Sequence, residues 1–286
     1  MNKTVNKPKI AKQIYRVLFA VFILLILVDL LFPVAAMISV SLKKANDVFS
    51  VPVTWIPDPV AWENYVEVFQ KLDILDGFKS SIIVTGATIV VIMLLAIPAA
   101  YALSKLRFFF KKPTYYLVLV SQMFAPVIII IPLYIMMNSL GLIDTYAGLV
   151  VMNVTFNLAF IVLMLKSSFD TVPKEVVEAA KIDGCSSFMT LRRIFVPVSR
   201  TGIAVAVIFT FTRTWNEFLF AFTYISTSSK KPIIVGLYEI LKNNPAVGIP
   251  WHLVMTSAVY ATVPLVILFI LIRNNITGDM TAGAIK

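Results

Sequence analysis

Residues 80–104 read SSIIVTGATIVVIMLLAIPAAYALS, a stretch that contains no charged side chain. An α-helix rises 1.5 Å per residue, so about 20 residues cross the roughly 30 Å hydrocarbon core of a bilayer, and this stretch is long enough to do so. Transmembrane β-strands alternate in polarity and need only about 10 residues each, which this stretch does not match. The sequence therefore predicts a membrane-spanning helix here.

The rest of the chain repeats this apolar character. Hydrophobic residues make up 59% of the 286 residues and charged residues only 14%, which is more apolar surface than a soluble domain of this size can bury. We predict six spans, at about 17–42, 80–104, 114–138, 145–166, 200–226 and 251–273. The fold class is therefore all-α membrane protein, with one membrane domain at 17–273 between a basic segment at 1–16 and a short tail at 274–286.

Basic residues are concentrated in alternate connections between these spans. They precede the first span (Lys3, Lys7, Lys9, Lys12, Arg16) and fill the second-to-third connection (Lys105, Arg107, Lys111, Lys112) and the fourth-to-fifth connection (Lys166, Lys174, Lys181, Arg192, Arg193, Arg200). Because cytoplasmic loops of membrane proteins carry an excess of Lys and Arg, both termini and these connections are predicted to be cytoplasmic. The net charge of +10 then reflects membrane topology, and no nucleic-acid partner is predicted.

Several classes of activity have no support in the sequence. Cys185 is the single cysteine and His252 the single histidine, so neither a disulfide within the chain nor a Cys/His metal cluster is expected. The chain contains no G-x-x-x-x-G-K-[ST] loop, no H-E-x-x-H pair and no paired aspartates. We therefore expect no enzymatic activity and no cofactor on this chain.

One cytoplasmic connection, at 168–198, carries a compact polar segment with the sequence VEAAKIDGCSSFMTLRRIFVPV at 177–198. It predicts two short helices joined by a turn. Gly184 can take the positive φ that ends a helix, and Ser186 or Ser187 can cap the next one. That second helix is predicted to have one apolar side, formed by Phe188, Leu191 and Phe195.

The exposed side of this segment suits a protein partner. Ala179 and Ala180 leave a surface low enough for another backbone to approach closely. Charged residues surround them: Glu178, Lys181, Asp183, Arg192 and Arg193. We predict a docking element between the membrane helices and a cytoplasmic protein, and the alternative is an amphipathic helix that lies on the lipid surface.

The spacing of these residues resembles the EAA motif of ABC-importer permease subunits. That motif is E-A-A, three residues, G, nine residues and I-x-L-P, and it is matched by Glu178-Ala179-Ala180, by Gly184 and by Ile194 to Pro197. Cys185 stands where alanine is usual, and Val196 stands where leucine is usual. Two further stretches, Trp215-Asn216-Glu217-Phe218 and Thr281 to Lys286, are similar to carbohydrate-importer permeases of the maltose type.

This resemblance implies the type I ABC importer permease fold and a role in ATP-driven sugar import through the cytoplasmic membrane. The implied partners are a second homologous permease, two ATPase subunits that bind ATP and Mg, and an extracytoplasmic solute-binding protein. Glu178 and Asp183 would then offer charge to an ATPase subunit, and Gly184 would permit the turn. Ala179 and Ala180 would provide close contact, with Ile194 and Pro197 completing the motif.

Polar residues inside the predicted spans are candidates for a substrate pathway, because they are costly in hydrocarbon. Asn216 and Glu217 could hydrogen-bond sugar hydroxyls, and Trp215 could stack on a sugar face. Alternatively, Glu217 pairs with Arg213, four residues earlier. Two asparagines in the fourth span, Asn153 and Asn157, could line the same route or could instead make packing hydrogen bonds between helices.

Other transporter classes remain as alternatives. An ABC importer permease for a solute other than sugar would share the EAA motif. A secondary transporter driven by an ion gradient is less well supported, since that class typically shows internal repeats, and no repeat is evident here.

Overall fold

The computed structural model describes residues 7–71, 74–242 and 248–280. The start of the predicted basic segment and the Thr281–Lys286 part of the predicted tail lie outside these residues. Within them no strand occurs, which agrees with the all-α prediction. The helices are α1 (Lys7–Ser41), α2 (Glu63–Lys71), α3 (Ile74–Lys105), α4 (Lys111–Ser121), α5 (Ile130–Ser139), α6 (Tyr146–Asp170), α7 (Lys174–Ile182), α8 (Ser187–Thr190), α9 (Val196–Val198), α10 (Arg200–Trp215), α11 (Leu219–Tyr224), α12 (Ile233–Lys242) and α13 (Trp251–Met280).

Four helices are long and apolar enough to cross a membrane by themselves, namely α1, α3, α6 and α13. Two bent helix pairs raise the number of possible spans to six among the described residues. One pair joins α4 to the helical stretch Pro126–Ser139 at an angle of 86°, and the other joins Ser187–Val198 to α10 at 82°. The first bend interrupts the predicted span at 114–138, and the second lies just before the predicted span at 200–226. That span is interrupted further on, between α10 and α11.

Proline explains the break after α4. Pro126 has no N–H to donate, and its ring disfavours helical geometry in the residue before it. Ala125 accordingly has the extended backbone angles φ −76° and ψ 123°, and a 3₁₀ turn starts at Pro126. By contrast, Pro33, Pro98 and Pro264 lie inside α1, α3 and α13.

The helices fall into two compact units. In the first unit, the end of α1 is tied to the start of α2 and to α13. Asn64 donates from Nδ2 to the carbonyls of Ser41 at 2.9 Å and Lys43 at 2.8 Å. The Thr256 hydroxyl donates to the same Ser41 carbonyl at 3.2 Å. These bonds satisfy carbonyls that the last turn of α1 leaves without helical partners.

The second unit is built on α3, α6 and α10. Small residues let α6 and α10 approach closely, since a Cβ on Gly202 would lie only 2.1 Å from Oγ of Ser168. Two apolar clusters fill this unit. One lies at the predicted cytoplasmic end and contains Leu103, Leu165 and Phe195, and the other lies towards the opposite end and contains Val84, Met152 and Tyr224.

Candidate functional site

The polar segment at 177–198 begins with α7 and ends in a tight turn. Gly184 has φ +75°, and the N–H of Cys185 donates to the carbonyl of Ala180 at 2.9 Å. This pattern is a Schellman cap, in which a residue with positive φ closes the end of a helix. Ser186 then accepts a hydrogen bond from the N–H of Met189 at 3.3 Å and caps α8. Both features agree with the two-helix prediction.

A π-helical turn at Leu191–Phe195 follows α8. Leu191 and Phe195, at the two ends of this turn, are buried, as predicted. Phe188, predicted to lie on the same apolar side, is instead 72% exposed. That part of the prediction was wrong, since Phe188 lies in the short α8, which does not bury this ring. Ile194 is half-buried against the cytoplasmic apolar cluster, and Pro197 is exposed.

Phe195 anchors the segment to the membrane helices. Its ring packs edge-on against Tyr101 of α3, with centroids 4.9 Å apart, and against Phe169 of α6 at 5.6 Å. The ammonium of Lys105 lies 5.8 Å from the centre of the Phe195 ring and donates to the carbonyl of Val172 at 2.6 Å. The segment is thus joined to two long helices through packed side chains.

The opposite face of the segment is exposed and combines charge with apolar side chains. We call it the coupling surface, and it consists of Glu178, Ala179, Ile182, Asp183 and Phe188. Ile182 is 87% exposed. Sequence analysis missed it, although its position four residues after Glu178 places both on one side of α7. Ala180, predicted to lie beside Ala179 on this surface, is buried at 3% exposure and packs inward instead.

The two asparagines of α6 lie inside the second unit. Asn153 is 2% exposed and donates from Nδ2 to the carbonyl of Leu149 at 2.9 Å. Asn157 is also buried and donates to the carbonyl of Asn153 at 2.8 Å. Both amides therefore bond within their own helix rather than between helices, and neither is exposed in this conformation.

Trp215 and Asn216 differ sharply in their surroundings. Trp215 is buried, donates from Nε1 to the carbonyl of Ala261 at 3.0 Å and stacks on Phe211 with centroids 5.2 Å apart. These contacts give its ring a packing role in this conformation. Asn216 is exposed and donates to the carbonyl of Thr212 at 2.9 Å.

The break between α10 and α11 separates Arg213 from Glu217. The Glu217 carboxylate accepts hydrogen bonds from the N–H groups of Phe220 at 2.8 Å and Ala221 at 3.0 Å. It therefore caps the start of α11. The Arg213 guanidinium instead lies 4.5 Å from the centre of the Phe160 ring, within cation–π range. The alternative of an Arg213–Glu217 pair is not what the structure shows.

Glu217 also borders a small polar cavity in the second unit. Its lining includes Ser81 and Thr85 of α3, Asn153 of α6 and Thr214 of α10. The cavity volume is about 10 Å³, close to the least space that holds one water molecule. The cavity is therefore too small for an oligosaccharide.

An outer clasp, formed by Asp144 with Ser226, Thr227 and Lys230, joins two loops at the other end of this unit. The Asp144 carboxylate accepts from the N–H groups of Ser226 at 3.1 Å and Thr227 at 3.0 Å, and from the Thr227 hydroxyl. Lys230 lies 3.3 Å from the same carboxylate. The hydrogen bonds from Thr227, together with those from Ser226 and Lys230, hold the pKa of Asp144 well below its usual range.

Known proteins resemble this chain over nearly its whole length. It is 32% identical to the inner membrane ABC transporter permease protein YcjP of Escherichia coli, with 96% of this chain and 98% of YcjP covered. It is 30% identical to the trehalose/maltose transport system permease protein MalG of Thermococcus litoralis, with coverage of 95% and 97%. A solved bacterial ABC transporter involved in alginate import contains a chain of the same fold, with a TM-score of 0.78, 20% identity and coverage of 96% and 99%.

The family comparison agrees with the resemblance carried by the EAA motif. Residues 92–281 match the model of the binding-protein-dependent transport system inner membrane component. This range contains α6, the coupling surface and α10, so it includes most of the second unit. The expected permease fold, membrane location and non-catalytic role of this subunit are therefore confirmed. The chain belongs to the family of inner membrane components of binding-protein-dependent transport systems.

Proposed function

We propose that this chain imports a sugar or oligosaccharide as one permease subunit of an ATP-driven complex. The coupling surface receives the movement of an ATPase subunit. The observation that carries the proposal is the combination of an exposed surface on α7 and α8 with a buried anchor at Phe195. A surface loop without such an anchor would move without moving the membrane helices.

The chemistry of the coupling surface fits a protein partner better than lipid. Ile182 and Phe188 supply apolar contact area, while Glu178 and Asp183 add negative charge. The exposed Arg192 and Arg193 of the same segment would attract anionic lipid, but they lie outside the coupling surface. The carboxylates of the coupling surface itself would be repelled by anionic headgroups and would pair with basic groups of a protein. The expected partner is one of two ATPase subunits, to which we assign the binding of ATP and Mg.

Movement is transmitted because the anchor is packed rather than flexible. Phe195 contacts both α3 and α6, and these two helices pack together along the second unit. When an ATPase dimer closes, α7 would be carried with it, and α3 and α6 would follow as rigid bodies. Such rotations are a common way for transporters to alternate between inward-facing and outward-facing states.

The sugar class rests on the chain's relatives. The cargo named for the Thermococcus litoralis relative is trehalose or maltose, and the one named for the solved transporter is alginate. Among the predicted pathway residues, Asn216 is the exposed one, so we assign it to the route. Because Asn153, Asn157 and Trp215 are buried in this chain, we assign most of the sugar contacts to a second homologous permease.

Cross-linking would test the docking geometry. In a Cys185→Ser background, Ile182→Cys should cross-link to an ATPase subunit with a short bifunctional reagent. The matched control is Lys112→Cys, which is exposed at the start of α4, in another predicted cytoplasmic connection, and lies outside the coupling surface. Cross-linking only from position 182 supports the proposal. Equal cross-linking from both positions, or to lipid alone, contradicts it.

The substrate class needs a separate test. The purified complex in lipid nanodiscs would be mixed with its solute-binding protein, loaded in turn with sugars, amino acids or peptides. We expect ATP hydrolysis to rise only with a sugar-loaded binding protein. A response to amino acids or peptides instead would support the alternative of an ABC importer for another solute, with the coupling mechanism unchanged.

A further inference from the structure

Among the described residues, five buried side-chain oxygen atoms have no hydrogen-bond partner. Three of them belong to residues that line the cavity beside Glu217. They are Oγ1 of Thr85, Oδ1 of Asn153 and Oγ1 of Thr214. The three residues are at most 6% exposed, so bulk water does not reach them. A buried polar atom without a partner is destabilising, and most such atoms in folded proteins are bonded to protein or to an ordered water molecule.

The three atoms belong to residues that line one cavity, although they come from three different helices. Thr85 lies on α3, Asn153 on α6 and Thr214 on α10, and Glu217 at the α10–α11 break lines the cavity too. The neighbouring Thr88 of α3 is also buried with a partnerless hydroxyl, but it lies outside the cavity lining. Thr85 therefore differs from Thr88, because Thr85 lines the same cavity as Asn153 and Thr214 and Thr88 does not.

We propose that this cavity is a binding site for an ordered water molecule that links α3, α6, α10 and Glu217. The donors and acceptors balance. The amide of Asn153 donates to Leu149, which leaves Oδ1 as an acceptor. The two threonine hydroxyls can donate or accept, and the Glu217 carboxylate accepts. A water molecule that donates to Asn153 and Glu217 and accepts from a threonine makes the three hydrogen bonds typical of a buried water.

This site extends the role of Glu217. Both of its oxygens already cap α11, and each retains a further lone pair. The water joins this cap to α3 and α6, so the position of the break between α10 and α11 is held by the helices that pack beside it. The inference concerns the folded chain and does not depend on which solute is transported.

The test is thermal unfolding of the full-length chain, measured in its complex in nanodiscs. The sign of the change in Tm shows whether the cavity holds water. Replacing Thr85 with valine removes a ligand of the water and should lower Tm by about 2–4 °C, the shift expected for the net loss of a hydrogen bond in a domain of this size. The matched control is Thr88→Val. It removes a hydroxyl that has no partner and should leave Tm unchanged or raise it.

A dry cavity predicts the opposite sign for Thr85. In that case Thr85→Val removes an unsatisfied group and raises Tm as Thr88→Val does, which would overturn the proposal. Thr214→Val is the second variant, and the Thr85→Val/Thr214→Val pair should lower Tm by less than the sum of the single shifts, because both lose the same water. Additive shifts contradict the proposal.

A density map of the cavity and a comparison of Tm in different salts complete the test. A high-resolution cryo-electron microscopy map should show density within hydrogen-bond distance of Asn153 Oδ1 and the Glu217 carboxylate. Absence of this density overturns the proposal. Tm would also be compared in sodium, potassium and choline salts. If Tm is different in sodium for the wild type but not for Thr85→Val, the site binds a cation rather than water, which would overturn the proposal.

Discussion

Gly184 holds a backbone conformation that other residues adopt only with strain. Its φ is +75°, and a Cβ built there meets no atom within 4 Å, so the cost of substitution within this chain comes from the backbone alone. Gly184→Ala should destabilise the end of α7 by about 1–2 kcal/mol. Asparagine tolerates positive φ better, so Gly184→Asn should cost less, as measured by thermal unfolding of the complex.

The same pair of variants separates strain from contact with the ATPase. If backbone conformation alone matters, stimulated ATP hydrolysis should be higher in Gly184→Asn than in Gly184→Ala. If the larger side chain of asparagine obstructs docking, hydrolysis should fall further in Gly184→Asn although its Tm is higher. The proposal that this turn lies in the contact predicts the second pattern.

Asp144 is a second residue whose chemistry leads to a measurable effect. Its pKa in the folded protein is held below the usual value of about 3.9. The stabilisation that it contributes is therefore fully present above the unfolded pKa and is lost as pH falls through the folded pKa. Asp144→Asn should lower Tm at pH 7, and the difference from wild type should shrink as pH falls below about 4. A difference independent of pH would contradict a charge-based clasp.

At the scale of helices, the contact between α6 and α10 requires the absence of a side chain. A Cβ at position 202 would lie 2.7 Å from Cβ of Ser168, a distance that rotation of the Ser168 hydroxyl does not relieve. Gly202→Ala should therefore lower Tm by several degrees. Ser168→Gly should restore stability in the double variant, whereas Ser168→Ala, which keeps Cβ, should not. Absence of rescue by Ser168→Gly would contradict this packing.

Phe195 and Phe188 should show opposite behaviour, although both are aromatic residues of one segment. Phe195→Ala removes a fully buried ring and should destabilise the protein by about 3–5 kcal/mol. Phe188→Ala removes an exposed ring and should leave stability nearly unchanged while it lowers stimulated ATP hydrolysis. Thermal unfolding and hydrolysis assays on both variants check this. Unchanged hydrolysis in Phe188→Ala would remove Phe188 from the coupling surface.

Some features of these helices follow from the sequence, and others depend on how the helices pack in three dimensions. The turn at Gly184 follows from local chemistry, because a glycine after an amphipathic helix is a strong end signal. The exposure of Phe188 does not, because its three-residue spacing from the buried Leu191 predicts that both lie on one helical side. The cap that Glu217 makes on α11 was also missed, because no proline or glycine marks the break between α10 and α11 and apolar residues resume at Phe218.

At the scale of the whole chain, charge and apolar length predict the membrane class well, while the six spans stay a prediction, since the described residues hold four long apolar helices and two bent pairs. The alternating basic connections are what the insertion rules of membranes lead one to expect. The bend near Pro126 was not predicted as a break, whereas the bend at Ser199 lies at the predicted boundary between the segment at 168–198 and the fifth span. The sequence alone does not predict the burial of Asn153 and Trp215, because a polar residue in a span can face either a pathway or a neighbouring helix.

The most direct test of the account is the coupling of ATP hydrolysis to sugar uptake in proteoliposomes that contain the whole complex and its loaded binding protein. Wild type would be compared with Glu178→Ala and Gly184→Asp, and with Lys112→Ala as the surface control outside the coupling surface. We predict that the complexes assemble in every case, and that Glu178→Ala and Gly184→Asp lose stimulated hydrolysis and uptake while Lys112→Ala retains both. Full hydrolysis and uptake in Glu178→Ala and Gly184→Asp would show that the segment at 177–198 is an ordinary surface loop.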